Sequence, residues 1–351
     1  MKRLIHLTLA VMFASALTVG TPYFAAAQEK KAFDGVTLRI NGYGGDYSRI
    51  LQEYVAKPLF EKTGLKVEYQ NSTVAAAVAK VIASRDNPPF DIIMVDSPNV
   101  PELTKSGLIE EVTRDEVPNI SKLLPGVREF GNYGVPFLTN ATVVLYNSKQ
   151  IKEPIKSYAD LARADLKDRV GLLSPDNTCG LLAMIALAEA NGGSPDNMEP
   201  AFKALAGMKK NIASVTSATV NLMQMYEQEE VWAGIMWDGR VYSMRSKGHP
   251  IETVAPEEGV YALFNYLAPV KGTKNRKAVL AYINQALSDE AVGALVNFFR
   301  YAPCTDIKLS DEVAKDVVVY GKNQAKRKSV DWEKVSGIRG QIIEEFNKAM
   351  R

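Results

Sequence analysis

The chain has 351 residues, with 42 Lys+Arg against 40 Asp+Glu, 2 His, 2 Cys and 46% hydrophobic residues. That length accommodates two or three domains with full hydrophobic cores. The near-neutral charge argues against a nucleic-acid partner, and so few His and Cys rule out a zinc ribbon or a His-rich metal site.

Residues 1–27 read as a secretory signal. Lys2 and Arg3 form the charged start, Leu7 to Val19 the apolar run, and Ala25, Ala26 and Ala27 a small-residue cleavage pattern before Gln28. The run is short for a membrane span, and Thr8, Ser15 and Thr18 interrupt it. No Cys follows it, so nothing suggests a lipid anchor. Cleavage removes Lys2, Arg3 and His6 and no acid, leaving a neutral mature chain with His249 its only histidine. His249 lies in the turn-like Lys247-Gly248-His249-Pro250 and has no nucleophile signature beside it.

From Val36 the sequence alternates apolar strands with amphipathic helices. Strands are predicted at 36–40, 65–69 and 91–95, and helices at 46–62, 74–84 and 99–105. In the second of these helices, Val74, Val78, Val81 and Ile82 share one face. Strand starts 29 and 26 residues apart are the spacing of βα units, which predicts an α/β lobe with a mostly parallel sheet. After the Pro- and Gly-punctuated stretch 118–136 a second set begins. Strands are predicted at 142–146, 169–173, 231–236 and 264–269, with a turn at Asp238-Gly239. Helices are predicted at 178–190, 198–208, 273–287, 289–299 and 338–350. Lys326-Arg327-Lys328 reads as a solvated helix face. Two α/β lobes imply a cleft at the carboxyl ends of their strands, where Asn41 to Tyr47, Asp96 to Asn99, Ser174 to Gly180 and Trp237 to Arg240 fall.

Several segments, in this order, resemble the extracellular solute-binding proteins of ABC importers, and within them the spermidine/putrescine-binding branch. They are Asn41-Gly-Tyr-Gly-Gly-Asp-Tyr47, 58–67, Phe90 to Ser97 and 103–110. Gly134-Val-Pro-Phe137 with 142–147, and Tyr266 to Val270 with Lys274-Asn275 and 282–284, look like the two interlobe crossings. Tyr301-Ala-Pro-Cys304 closes the set. The resemblance implies a type II two-lobed periplasmic-binding-protein fold, each lobe a mixed, mostly parallel sheet flanked by helices. Lobe 1 would comprise 28–139 plus about 268–303, and lobe 2 about 140–267 plus 304–351. It implies a periplasmic monomer that binds a small solute without chemistry or cofactor and delivers it to an ABC permease and ATPase complex.

On the same basis the candidate ligand contacts are Tyr43, Gly44, Asp96, Ser97, Thr139, Asn177, Thr178, Trp237, Asp238, Arg240, Asn265 and Tyr301. Polyamine binders use carboxylates for ammonium groups and rings for the methylene chain. Here Leu263 and Asn265 stand where those binders carry Trp and Asp, and Ser174 to Gly180 lacks their acids. Asn177 and Thr178 at a helix N-terminus, with Arg240, offer an anion position instead. The expected ligand is therefore an amine-bearing zwitterion or small organic acid (amino-acid-like, aminophosphonate or carboxylate), with a polyamine as the alternative. No Tyr-Tyr pair speaks for iron. An exported α/β enzyme and a chemosensory binding protein are the rival classes; neither a G-x-S-x-G elbow nor a P-loop is present. Cys179 and Cys304, both beside cleft segments under the resemblance, are a candidate disulfide.

Overall fold

The computed structural model describes residues 31–351, so the expected signal at 1–27 lies outside the described residues. Eleven strands form one continuous, curled sheet. They are β1 (Thr37–Gly42), β2 (Lys66–Asn71), β3 (Ile92–Asp96), β4 (Val135–Asn147), β5 (Val170–Leu173) and β6 (Ile212–Thr216), then β7 (Ala233–Trp237), β8 (Ile251–Val254), β9 (Val260–Pro269), β10 (Ala302–Pro303) and β11 (Arg327–Lys328). The main order is β2-β1-β3-β9-β4-β7-β5-β6. β1, β2 and β3 run parallel, as do β5, β6 and β7, while β4 and β9 run antiparallel to each other and to β7 and β3. Each half is thus a mixed sheet with a parallel outer part.

β4 joins the halves. Its residues up to Ala141 pair with β9, and Thr142 onward pairs with β7. β9 does the same in reverse, pairing through Asn265–Pro269 with β3. β4 is longer than the predicted 142–146 because Pro136 and a register shift between Pro136 and Leu138 break the apolar run that sequence reading relies on. The predicted turn at Asp238-Gly239 is instead the start of the helix Asp238–Ser246. β6 and the helix Thr219–Glu227 were not predicted: β6 is only half-buried and lacks a clean alternation.

Three apolar clusters follow this division. Two cover the faces of the β1–β3 half, one built on Leu38, Ile40 and Tyr282, the other on Phe90, Val95 and Tyr266. The third surrounds the helix Thr178–Ala190, which is buried on nearly every side. The final helix Trp332–Met350 packs Trp332, Val335, Ile342 and Phe346 into this third cluster. Leu309, Val313, Val317 and Val319 pack on the β1–β3 half instead.

Pro58 shows how local sequence shapes the first half. The helices Gly45–Leu51 and Lys57–Thr63 flank the wider turn Gln52–Ala56. Pro58 has no N–H to donate four residues back, and the carbonyl of Tyr54 accepts from Gln285 Nε2 instead, at 3.2 Å. Gly64 then ends the run in the left-handed region.

Candidate ligand-binding cleft

Between the halves lies a cleft of about 660 Å³. The β1–β3 half supplies Tyr43, Asp96, Phe299 and Tyr301 to its wall; the other half supplies Thr219, Trp237 and Arg240, and the crossing strands Asn140 and Asn265. The site therefore depends on strand ends from both halves, as open α/β sheets dictate.

Asp96 is the centre of its polar wall. β3 ends there, opposite Asn265 on β9. Asp96 Oδ1 accepts from the Tyr43 hydroxyl at 3.0 Å and from Asn265 Nδ2 at 2.8 Å. Burial pushes the carboxyl up from the ordinary range, and these two donors hold it down. All the described bonds fall on Oδ1, and Oδ2 accepts none among the described residues. The Asn265 amide oxygen is buried in the same wall without a partner. Beneath, Asn41 stitches β1 to β3 by donating to the Met94 carbonyl and accepting its N–H.

Tyr43 is presented by a turn that requires glycine. Gly44 has φ 79° and ψ −179°, a region essentially closed to other residues. Aromatic rings continue the wall. Tyr43 meets Tyr47 edge-on at 4.9 Å, Tyr47 lies 5.3 Å from Phe299, and Phe299 stacks on Tyr301 at 5.4 Å. Arg300 between the last two adopts φ 58°, which ends the helix Asp289–Phe299 and returns the chain so that alternate rings stack. Burial pushes the Tyr301 phenol up to about 12, with the Arg240 charge pulling the other way. Arg240 itself is exposed and forms no ion pair among the described residues.

Of the expected contacts, Tyr43, Gly44, Asp96, Trp237, Arg240, Asn265 and Tyr301 share the cleft wall. The other five do not reach it. Ser97 is fully buried, donating to Glu129 Oε2 and accepting the Phe264 N–H. Thr139 is buried against Cys304. Asn177 caps its helix by accepting from Cys179 N, and its Nδ2 donates to Ser217 O and Thr219 Oγ1, so it supports Thr219 and is itself outside the wall. Thr178 follows it outside the wall. Asp238 lies beneath, its Oδ1 accepting from Ala141 N and Gly239 N. Cys179 and Cys304 are free, buried thiols in different apolar clusters, which corrects the disulfide expectation.

Sequence reading missed Ser72, Thr73, Asn140, Thr219 and Phe299. Thr73 caps the helix Val74–Ala83 by accepting from Ala76 N. Its position after β2, at the same sheet edge as Tyr43 and Asp96, was the available signal. Among the described residues no group of His, Cys, Asp and Glu could hold a metal ion, and no helix is long and apolar enough to cross a membrane.

This arrangement, two half-sheets joined by crossing strands around a polar and aromatic cleft, is that of a protein built to hold a small molecule between its halves. Residues 55–319 match the model of the bacterial extracellular solute-binding proteins, and the chain belongs to that family. It is 26% identical over 314 residues to the spermidine/putrescine-binding periplasmic protein of Salmonella typhimurium, covering 85% of this chain and 89% of that one. Among solved structures it resembles the spermidine/putrescine ABC transporter substrate-binding protein of Streptococcus pneumoniae, with TM-score 0.76, 17% identity, and 90% and 100% of the two chains covered. A solved GABA receptor gives TM-score 0.74 and 21% identity over 90% and 98%. The fold is that of the two-lobed periplasmic binding proteins.

Proposed function

We propose that this chain is the periplasmic substrate-binding component of an ABC importer. It takes an amine-bearing zwitterion into the cleft and presents the closed form to a permease and ATPase complex. Lobe 1 comprises 28–139 with about 268–303, and lobe 2 about 140–267 with 304–351, except that Leu309, Val313, Val317 and Val319 pack on the first half and favour assigning 309–319 to lobe 1. The observation that supports the ligand reading is the charge layout of the cleft. Asp96 offers Oδ2 for an ammonium group, while Arg240 offers an unpaired guanidinium for an acid. The rings between them favour a short methylene chain. A solute bridging both lobes binds the closed state better than the open one, and that difference drives closure.

The second reading is a polyamine, favoured by the name of the Salmonella relative. It needs a second acid for the far ammonium. Asp46 on the cleft rim is exposed and bonded to Arg49, and Asp238 is sealed beneath the wall. A dication would also meet Arg240.

A thermal-shift panel of γ-aminobutyrate, an aminophosphonate, a small dicarboxylate, putrescine and spermidine tests both readings. A zwitterion at about 100 times its Kd stabilises the protein by about 2.7 kcal/mol. Stabilisation by polyamines alone replaces the first reading with the second, and none by any of the five overturns both.

A further inference from the structure

Behind the cleft wall a chain of hydrogen bonds runs from the final helix to the Asp96–Asn265 pair. Trp332, buried in the second lobe's core, donates Nε1 to Glu129 Oε1 at 3.3 Å. Glu129 Oε2 accepts from Ser97 Oγ at 2.8 Å and from the Tyr266 hydroxyl at 3.3 Å. Ser97 Oγ in turn accepts the N–H of Phe264 at 2.9 Å. Ser97 directly follows Asp96, and Phe264 directly precedes Asn265. The β3–β9 ladder ends at Asp96 and Asn265, so Ser97 Oγ takes the place of the next ladder acceptor. The start of the final helix also packs on the Ser97–Asn99 turn. Burial pushes the Glu129 carboxyl up, and its donors from Ser97, Trp332 and Tyr266, with the nearby Arg327 charge, hold it down.

We infer that Glu129 is a positioning residue: through Ser97 it fixes the Asp96–Asn265 pair, and through Trp332 it ties that pair to the second lobe's final helix. Glu129 does not line the cleft. Its two oxygens face opposite partners: Oε1 bonds Trp332 of the second lobe's final helix, and Oε2 bonds Ser97 and Tyr266 of the first half. The wall that would receive the ammonium group is thereby set by a contact between the two lobes that lies behind the cleft.

The test has one arm independent of any ligand and one that rests on the solute reading above. In the unliganded protein, the side-chain amide resonances of Asn265 are followed by NMR in Glu129→Gln and Trp332→Phe. Both variants are expected to shift them, whereas Lys105→Ala, which removes only the Lys105–Glu333 ion pair on the same face, leaves them in place. An Asn265 amide unmoved in both variants overturns the relay. In the second arm, γ-aminobutyrate or putrescine, whichever stabilises the unaltered protein, is titrated into Glu129→Gln, Ser97→Ala and the double variant. Each single change should weaken binding about tenfold and the double change no further, because one chain of bonds is cut twice. Losses that multiply overturn it. If neither probe binds the unaltered protein, this arm is run with whichever of the five panel solutes does; if none does, the solute reading fails alone and the amide arm still decides the relay.

Discussion

Asp238 accepts the backbone N–H of Ala141 at 3.2 Å, at the residue where β4 leaves β9 for β7. Its own neighbour Gly239 donates to the same oxygen at 2.8 Å, and the other oxygen is buried without a partner. A side chain thus serves as a backbone acceptor at the interlobe crossing, and its second oxygen has nothing to favour a charge.

Burial therefore pushes the Asp238 carboxyl up to about 7, against the pull of the two N–H groups. The folded state binds this proton more tightly than the unfolded chain does. Its contribution to stability is present below the ordinary carboxylate pKa of about 4 and is lost as pH rises to about 7. The effect is at most about 4 kcal/mol. Asp238→Asn keeps the acceptor oxygen and should remove this slope, so urea unfolding at pH 5 and pH 8 should show a smaller stability difference in the variant. Parallel profiles would place the charge elsewhere.

Asp96 and Arg240 should act on different ends of the solute. Asp96→Asn should weaken γ-aminobutyrate binding by about 10- to 100-fold through the loss of a charge-assisted bond. Arg240→Gln should weaken the same ligand while leaving putrescine unaffected or improved. Calorimetric titration of both variants with both ligands checks this. Equal losses for the two ligands in Arg240→Gln would remove that residue from acid recognition.

Gly239 sits where the second lobe's helix touches the ring wall. A Cβ there would lie 2.3 Å from Tyr301 Cε1 and 2.8 Å from the Phe299 carbonyl. Gly239→Ala should cost about 1–3 kcal/mol of stability and weaken the solute by displacing Tyr301. Thermal unfolding and near-ultraviolet circular dichroism report both effects; an unchanged melting temperature and tyrosine spectrum would contradict the contact.

The two cysteines should be unreactive in the folded protein. Burial pushes the Cys304 thiol up to about 12, opposed by Thr139 and the Arg327 charge, and lifts Cys179 well above its ordinary value. A thiol reagent should modify both only after unfolding, and reductant should leave the melting temperature unchanged. A loss of stability on reduction would restore the bridge.

The fold was legible wherever apolar periodicity was clean: the helix Thr178–Ala190 lies where 178–190 was predicted, and β3 differs from its prediction by one residue at each end. The crossing strands were only half legible. Val135–Ala141 contains Pro136 and pairs with a partner far along the chain, which no local pattern records. At the site, strand-end residues such as Tyr43, Asp96 and Trp237 could be placed from position alone. Ser97, Asn177 and Asp238 could not, because the sequence names a polar residue near the cleft without saying which way its side chain turns. In the folded chain backbone donors claim all three. Phe299 was missed for the opposite reason: it reads as the apolar end of a helix, and only the left-handed turn at Arg300 brings it to the wall.

Asp96 and Asn265 are 169 residues apart, yet they form one bonded pair. Until β9 is available, β3 has an open edge and the wall above it has one residue of the two. A fragment ending before β9 would expose that edge, an aggregation hazard. Contacts of this span also slow folding, because the intervening chain must be ordered before the pair can reward it. The Asp96–Asn265 wall, the proposed grip on the solute, is therefore among the last features to be completed, and a partly made chain lacks it.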